Sequence, residues 1–376
     1  MTQSYFETLD EVLVQAGQAS PCLVLDLDRF EANIALARRR VQAGVGLRVV
    51  AKSLACLPML DRAVSGLEAV GVMTFSLERL RVMLKARPEW THLLGKPLPV
   101  RGAAEVLAEC PNAAEQVTWL VDTVARAEQY AELAKARGVS LRVALELDAG
   151  LHRGGVAMDQ AARVAHAVRA MQGLSLVGVM GYEPHLAKLP GLVKGSARRQ
   201  VLSALQQGAA LVSEGLVNTG GSMSFAAYGR AEGVSEVSLG SVLVKPTDFD
   251  LPSTEGFEPA LFIAAPILKY MPDNPVPGFD AVQALTRLRR KADLAIYGGY
   301  WKGKPVHPAG YGYSGVFGHS SNQEVWSGPY LKRSPVDRFA FLRPTQSEAV
   351  LPEFGQVVVV SGGEIVDRWE TMGVAQ

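Results

Sequence analysis

The chain has 376 residues, is 48% hydrophobic, and sets 38 basic against 37 acidic side chains for a formal charge of +1. That is enough apolar material for a large core and a second, smaller domain, and the even charge balance, without a basic run or aromatic ladder, argues against a nucleic-acid partner. No window of about 18 apolar residues marks a membrane span, and the N-terminal MTQSYFETLDEVL lacks the basic-then-apolar order of a secretion signal, so a cytoplasmic protein is expected.

From residue 20 to 245, apolar strand-like runs alternate with amphipathic helical segments. The strand runs are Cys22 to Leu27, Leu47 to Lys52, Ala69 to Phe75, Thr91 to Gly95, Val117 to Asp122, Leu141 to Asp148, Leu174 to Tyr182, Leu216 to Gly220 and Glu236 to Val244. Between them, Asp28 to Ala43, Ser76 to Ala86, Thr123 to Arg137, Met158 to Met171 and Ala197 to Ser213 carry helical spacing, with Asp28, Ser76 and Thr123 as N-caps. Such alternation means a parallel sheet. An open doubly wound sheet would want a glycine-rich turn after its first strand, and Asp26-Leu27-Asp28 has none, so a (β/α)₈ barrel of the TIM type is expected, with one strand too many. After Val244 the helical periodicity fades. Phe262 to Ala265, Ala292 to Ile296, Arg338 to Leu342 and Gln356 to Val360, divided by glycine and proline, predict a mainly antiparallel C-terminal β-domain. Cys22, Cys56 and Cys110 are too scattered for a disulfide framework or a zinc cluster and read as reduced thiols.

In a barrel, reactive groups belong at the C-terminal ends of the strands. Lys52 stands at one such end, where an ammonium is either a solvated terminus or an amine placed to attack a carbonyl. The other ends offer Asp148 with His152 and Arg153, Tyr182 with Glu183 and His185, and the turn Asn218-Thr219-Gly220-Gly221-Ser222. A glycine turn on a late strand suits a phosphate, with backbone N–H groups and the Thr219 and Ser222 hydroxyls as donors, although such turns also simply connect elements. Arg153 could pair with Asp148 or hold a phenolate oxygen, and His185 is placed to move protons. The mouth has no His-x-His or carboxylate cluster of the kind a metal-dependent hydrolase needs.

Together these segments resemble the fold-type III pyridoxal phosphate enzymes. The likeness rests on Pro21-Cys22-Leu23-Val24-Leu25-Asp26-Leu27-Asp28, Val50-Ala51-Lys52-Ser53 and Leu145 to Val156. Gly181-Tyr182-Glu183-Pro184-His185-Leu186, Thr219-Gly220-Gly221-Ser222 and Glu236-Val237-Ser238-Leu239-Gly240-Ser241 are similar to the D-threonine aldolase and D-serine dehydratase branch. The resemblance implies an alanine racemase-like barrel over residues 28–248 and a β-domain of residues 1–27 plus 249–376, with the surplus first strand paired into the β-domain. It implies a homodimer and a pyridoxal 5'-phosphate cofactor: Lys52 carries the Schiff base, Arg153 meets the cofactor phenolate, Tyr182 lines it, and Thr219, Gly220, Gly221, Ser222, Gly240 and Ser241 surround its phosphate.

The implied activity is a lyase acting on a D-configured β-hydroxy amino acid, most simply by aldol cleavage with His185 as base. A D-serine or D-3-hydroxyaspartate dehydratase, an amino-acid racemase and a non-catalytic cofactor-binding protein stand as alternatives. One segment departs from the family. Where that branch has a histidine and a cysteine or aspartate binding a divalent metal, Phe341 to Val350 places Gln346 and Glu348. An amide is a weak ligand for such an ion. Three readings stay open: Glu348 holds Mg²⁺ or Mn²⁺ with His307, His319 or Glu324, or Arg343 and Gln346 bind a substrate carboxylate, or the segment is simply a polar edge strand.

Overall fold

A computed structural model describes residues 3–212, 215–278 and 291–373. Ser213, at the end of the predicted Ala197 to Ser213 helix, lies outside them. The chain divides into two compact units: residues 1–32, 244–250 and 257–371, and residues 33–243, 251–256 and 372–376. Among the described residues no helix is long and apolar enough to cross a membrane. The three cysteines are buried and free.

In the first unit, β1 (Cys22–Asp26) is buried along its whole length. It belongs to the sheet of this unit, as the surplus strand should. The second unit is a closed barrel of parallel strands: β2 (Gly46–Val50), β3 (Gly71–Thr74), β4 (His92–Leu94), β5 (Val117–Val121), β6 (Leu141–Leu147), β7 (Leu174–Gly181), β8 (Leu216–Thr219) and β9 (Glu236–Leu239), with β9 pairing back onto β2. Each run ends a residue or more before its apolar pattern does. Beyond Val50 the chain turns into a 3₁₀ segment, Ala51–Leu54, so Lys52 sits in the exit turn rather than in the strand.

The remaining strands are β10 (Leu261–Pro272), β11 (Ala292–Tyr297), β12 (Gly303–His307), β13 (Gly312–Tyr313), β14 (Gln323–Gly328), β15 (Phe339–Pro344), β16 (Gln356–Ser361) and β17 (Glu364–Glu370). They complete the sheet of the first unit, which is antiparallel except where β1 runs parallel to β16. A helix not expected from the sequence, Gln3–Gln15, lays Phe6, Leu9 and Leu13 against Val24, Phe262, Phe341 and Val358 of this sheet. Burial of such side chains is worth about 1.5–3 kcal/mol each.

Local capping explains most element starts. Ser76 and Thr123 accept the N–H groups of Arg79 and Arg126, as their patterns predict. At the helix Leu27–Arg40, however, the cap is Asp26, which accepts the Arg29 N–H at 3.0 Å. Asp28 instead accepts from the Ser361 hydroxyl and the Gly362 N–H, because the helix begins one residue earlier than the apolar pattern suggests.

The barrel carries buried polar groups. Arg48 on β2 makes a bidentate pair with Glu236 on β9 at 2.7 and 2.9 Å, and Asn218 and Ser238 extend the network. Removing one partner of such a pair costs about 3–5 kcal/mol, because the other charge stays buried. Near it His92, 1% exposed, meets Thr74 Oγ1 through Nδ1. Burial, with the Arg48 charge added, holds His92 down at about 3 from its ordinary 6.5. The unfolded chain therefore takes up a proton near pH 6.5 that the folded chain refuses. Stability is complete above that pH and falls as the pH drops toward about 3. Urea titrations across this range should show the slope flattened in His92→Gln relative to wild type; an unchanged slope would assign the acid sensitivity to other groups.

Candidate active site

Five neighbouring strand exits, those of β6, β7, β8, β9 and β2, carry the polar residues singled out in the sequence. At the β2 exit the Lys52 ammonium lies 4.7 Å from the centroid of the Phe75 ring, which follows β3. A cation over an aromatic face is worth about 0.5–1 kcal/mol at an exposed site and more when water is excluded. Phe75 reaches this position because Gly95 has no side chain: a Cβ there would stand 2.2 Å from the ring.

A seam of hydroxyls joins the exits of β2, β8 and β9. Ser53, next to Lys52, shares a 2.8 Å hydrogen bond with Ser241. Ser222 Oγ accepts the N–H groups of Gly240 and Val242 at 3.2 and 3.1 Å. Gly240 permits the approach, since a Cβ would lie 2.8 Å from the Val50 carbonyl oxygen and 3.0 Å from Ser53 Cβ. The three serines are all under a tenth exposed. Thus the lysine turn and the glycine turn, about 170 residues apart in sequence, are tied together through one buried oxygen and one hydroxyl pair.

At the β6 exit, Asp148 accepts from the Gly150 and His152 N–H groups and meets His152 Nδ1 at 2.7 Å. Its burial alone would raise the carboxyl, but these hydrogen bonds outweigh it and the net shift is downward. With Asp148 so engaged, Arg153 is carried on the following loop and its guanidinium lies 5.4 Å from the Tyr182 ring centroid. Tyr182 in turn rests on Gly221, where a Cβ would come within 3.1 Å of the ring. His185 lies in the 3₁₀ turn Pro184–Ala187, across from Gly150. Its buried Nδ1 has no protein partner among the described residues, an unfilled position of the kind that marks a ligand or an ordered water.

The glycine turn differs in detail from the expectation. The Thr219 hydroxyl and the Gly220 N–H both go to Glu183 Oε2, and the Gly221 N–H goes to Ser224 Oγ. These groups shape the bend, with Gly220 in the left-handed region at φ +76°: two of the three donors meet a carboxylate and the third meets the Ser224 hydroxyl. The sequence places Glu183 at this mouth but assigns it no role. A glutamate between Tyr182 and Pro184 looks like a solvated loop residue, and its partners lie more than 35 positions downstream.

The C-terminal expectations fare unevenly. Arg343 is 7% exposed, and its guanidinium bonds to Asp250 and to the carbonyls of Lys245 and Pro246. It clamps its own unit with most of its donors. Gln346 donates to Asp248, and Glu348 accepts from Ser347. His319 and Glu324 form a pair of their own at 2.5 Å. Among the described residues no three His, Cys, Asp or Glu side chains converge to hold a metal ion.

The family model for the alanine racemase N-terminal domain matches residues 25–248, more than half of the chain. The chain belongs to that family. It is 28% identical over 237 residues to the D-threo-3-hydroxyaspartate dehydratase of Delftia sp. strain HT23, covering 59% of this chain and 60% of that enzyme. It is 26% identical over 282 residues to the 3-hydroxy-D-aspartate aldolase of Paracoccus denitrificans, covering 70% of each. Among solved structures, the D-threonine aldolase of Filomicrobium marinum superposes with a TM-score of 0.77 at 22% identity over 94% of this chain and 95% of that one. This confirms the alanine racemase-like fold of the fold-type III pyridoxal phosphate enzymes.

The close approach at Gly240 can be tested directly. Gly240→Ala should lower barrel stability by about 1–3 kcal/mol through overpacking. Gly195→Ala, in the exposed helix Gly191–Ala210 with nothing nearer than 3.8 Å, should instead gain about 0.5–1 kcal/mol. Denaturant midpoints that ranked the two the other way would refute the packing account.

Proposed function

We propose that the chain is a pyridoxal phosphate-dependent lyase acting on D-configured β-hydroxy amino acids, by aldol cleavage. The observation that carries this reading is the seam in which buried hydroxyls tie the turn that carries the Lys52 amine to the Gly220–Ser222 bend. The residues fit the cofactor: Lys52 would hold its aldehyde, Ser222 and Ser241 its phosphate, and Arg153 with Tyr182 its ring. When bound, the pyridine ring supplies an electron sink for charge developing at the substrate's Cα.

The chain's own groups supply the rest. Phe75 gives the amine of Lys52 an apolar wall. The half-buried His185, whose Nδ1 has no partner among the described residues, takes the proton from the substrate's β-hydroxyl oxygen. Loss of that proton favours breaking the Cα–Cβ bond, releasing glycine and an aldehyde. Expelling the hydroxyl as water would profit from an electrophile on oxygen, whereas His185 supplies a base. Both named relatives act on 3-hydroxyaspartate, one as a dehydratase and one as an aldolase, and they support the substrate class. By the same resemblance we infer a homodimer, for which sedimentation would show twice the chain mass.

Two measurements test the reading. Wild type mixed with pyridoxal phosphate should become yellow and, after borohydride, carry the cofactor on the peptide holding Lys52, while Lys52→Ala stays colourless. A wild type that takes up no cofactor would contradict the proposal. Incubation with D-threonine, D-serine and D-3-hydroxyaspartate should give glycine and an aldehyde, insensitive to EDTA, with His185→Gln losing about 10²–10⁴-fold in kcat. Ammonia and a keto acid would show a dehydratase. Enantiomer formation with exchange of the α-hydrogen alone would show a racemase.

A further inference from the structure

Glu183 is 1% exposed, yet its carboxylate is the centre of the hydrogen bonding behind the glycine turn. One oxygen accepts from Thr219 Oγ1 at 3.3 Å and from the Gly220 N–H at 3.2 Å; the other accepts from Ser224 Oγ at 2.6 Å. The Tyr228 hydroxyl bonds to it as well. Burial first, and then the Glu183 charge, push the Tyr228 phenol upward, so that hydroxyl keeps its proton and donates. Ser224 Oγ also accepts the Gly221 N–H. The first two N–H groups of the bend are therefore fixed by Glu183, one directly and one through a single hydroxyl. The same residue stands between Tyr182 and the turn that carries His185, so one side chain sets the β7 exit against the β8 exit.

An acid beside a phosphate subsite would ordinarily repel the ligand. Here its charge is covered by four donors on the side of the bend, and charge-assisted hydrogen bonds of this kind fix geometry strongly. Ser222, the next residue of the bend, accepts two N–H groups from the β9 exit, so its own hydroxyl proton is directed away from both. We propose that Glu183 is a positioning residue for the phosphate end of the cofactor: it fixes the Gly220–Ser222 bend so that the Ser222 hydroxyl, rather than the Thr219 hydroxyl or the Gly220 N–H, meets the phosphate. This rests on the pyridoxal phosphate reading above.

The test compares pyridoxal phosphate with pyridoxal, which has the same aldehyde and ring but no phosphate. Cofactor-free wild type, Glu183→Gln and Ser224→Ala are titrated with each compound, following the visible absorbance, and the ³¹P resonance of the bound phosphate is recorded. Glu183→Gln should weaken pyridoxal phosphate capture by about tenfold or more, the loss expected when a charged hydrogen-bonding centre is neutralised. It should leave pyridoxal capture within about twofold and move the ³¹P line; Ser224→Ala should show the same selective loss, smaller. Should Glu183→Gln fail to fold, Ser224→Ala carries the comparison. Variants that bind both compounds as wild type does, or lose both in equal proportion, would overturn the inference while leaving the cofactor reading intact. Wild type that captures neither compound would overturn the cofactor reading itself, and this inference with it.

Discussion

The two hydrogen bonds that Ser222 Oγ accepts from Gly240 and Val242 are the constraint on which the site depends. They pin the bend after β8 to the exit of β9, while the pair Ser241–Ser53 carries the connection on to the turn holding Lys52. None of this is possible with a side chain at Gly240, where even a methyl group would press on the Val50 carbonyl and on Ser53. A parallel barrel leaves its strand exits as loops with unpaired backbone groups. This chain satisfies several of them with buried hydroxyls, and in doing so ties the turn that carries Lys52 to the glycine bend.

Around that seam the other groups divide by what they do to charge. Phe75 stabilises a positive Lys52 by its ring face, Asp148 is occupied by its own loop, and Arg153 is thereby left to lie over Tyr182. His185 keeps a buried nitrogen without a partner among the described residues. Deeper in the barrel, His92 and the Arg48–Glu236 pair are structural polar groups, and the acid sensitivity of His92 reports folding and not catalysis.

Much of this was legible in the sequence for a simple reason. Strands buried on both faces must be continuous apolar runs, so β2 to β9 announced themselves, and their exits located Lys52, Arg153, Tyr182, His185 and Ser222 at one mouth. Pattern does not reveal where hydrogen bonding stops. Lys52 therefore read as a strand residue although the ladder ends at Val50, and Asp28 read as a cap although Asp26 takes that place. Long-range polar partnerships were beyond reach altogether. Nothing local tells that Arg343 is consumed by Asp250 and two carbonyls, or that Glu183 gathers Thr219, Gly220, Ser224 and Tyr228. The single hint was the density of hydroxyl residues after the diglycine, more donors than a connecting turn requires.

A crystal structure of the protein grown with pyridoxal phosphate tests the central claim most directly. The account predicts continuous density from Lys52 Nζ to the cofactor, with its phosphate against the Ser222 hydroxyl and the Ser241 exit. Cofactor attached to a different lysine, or a phosphate seated away from the bend between β8 and β9, would contradict it.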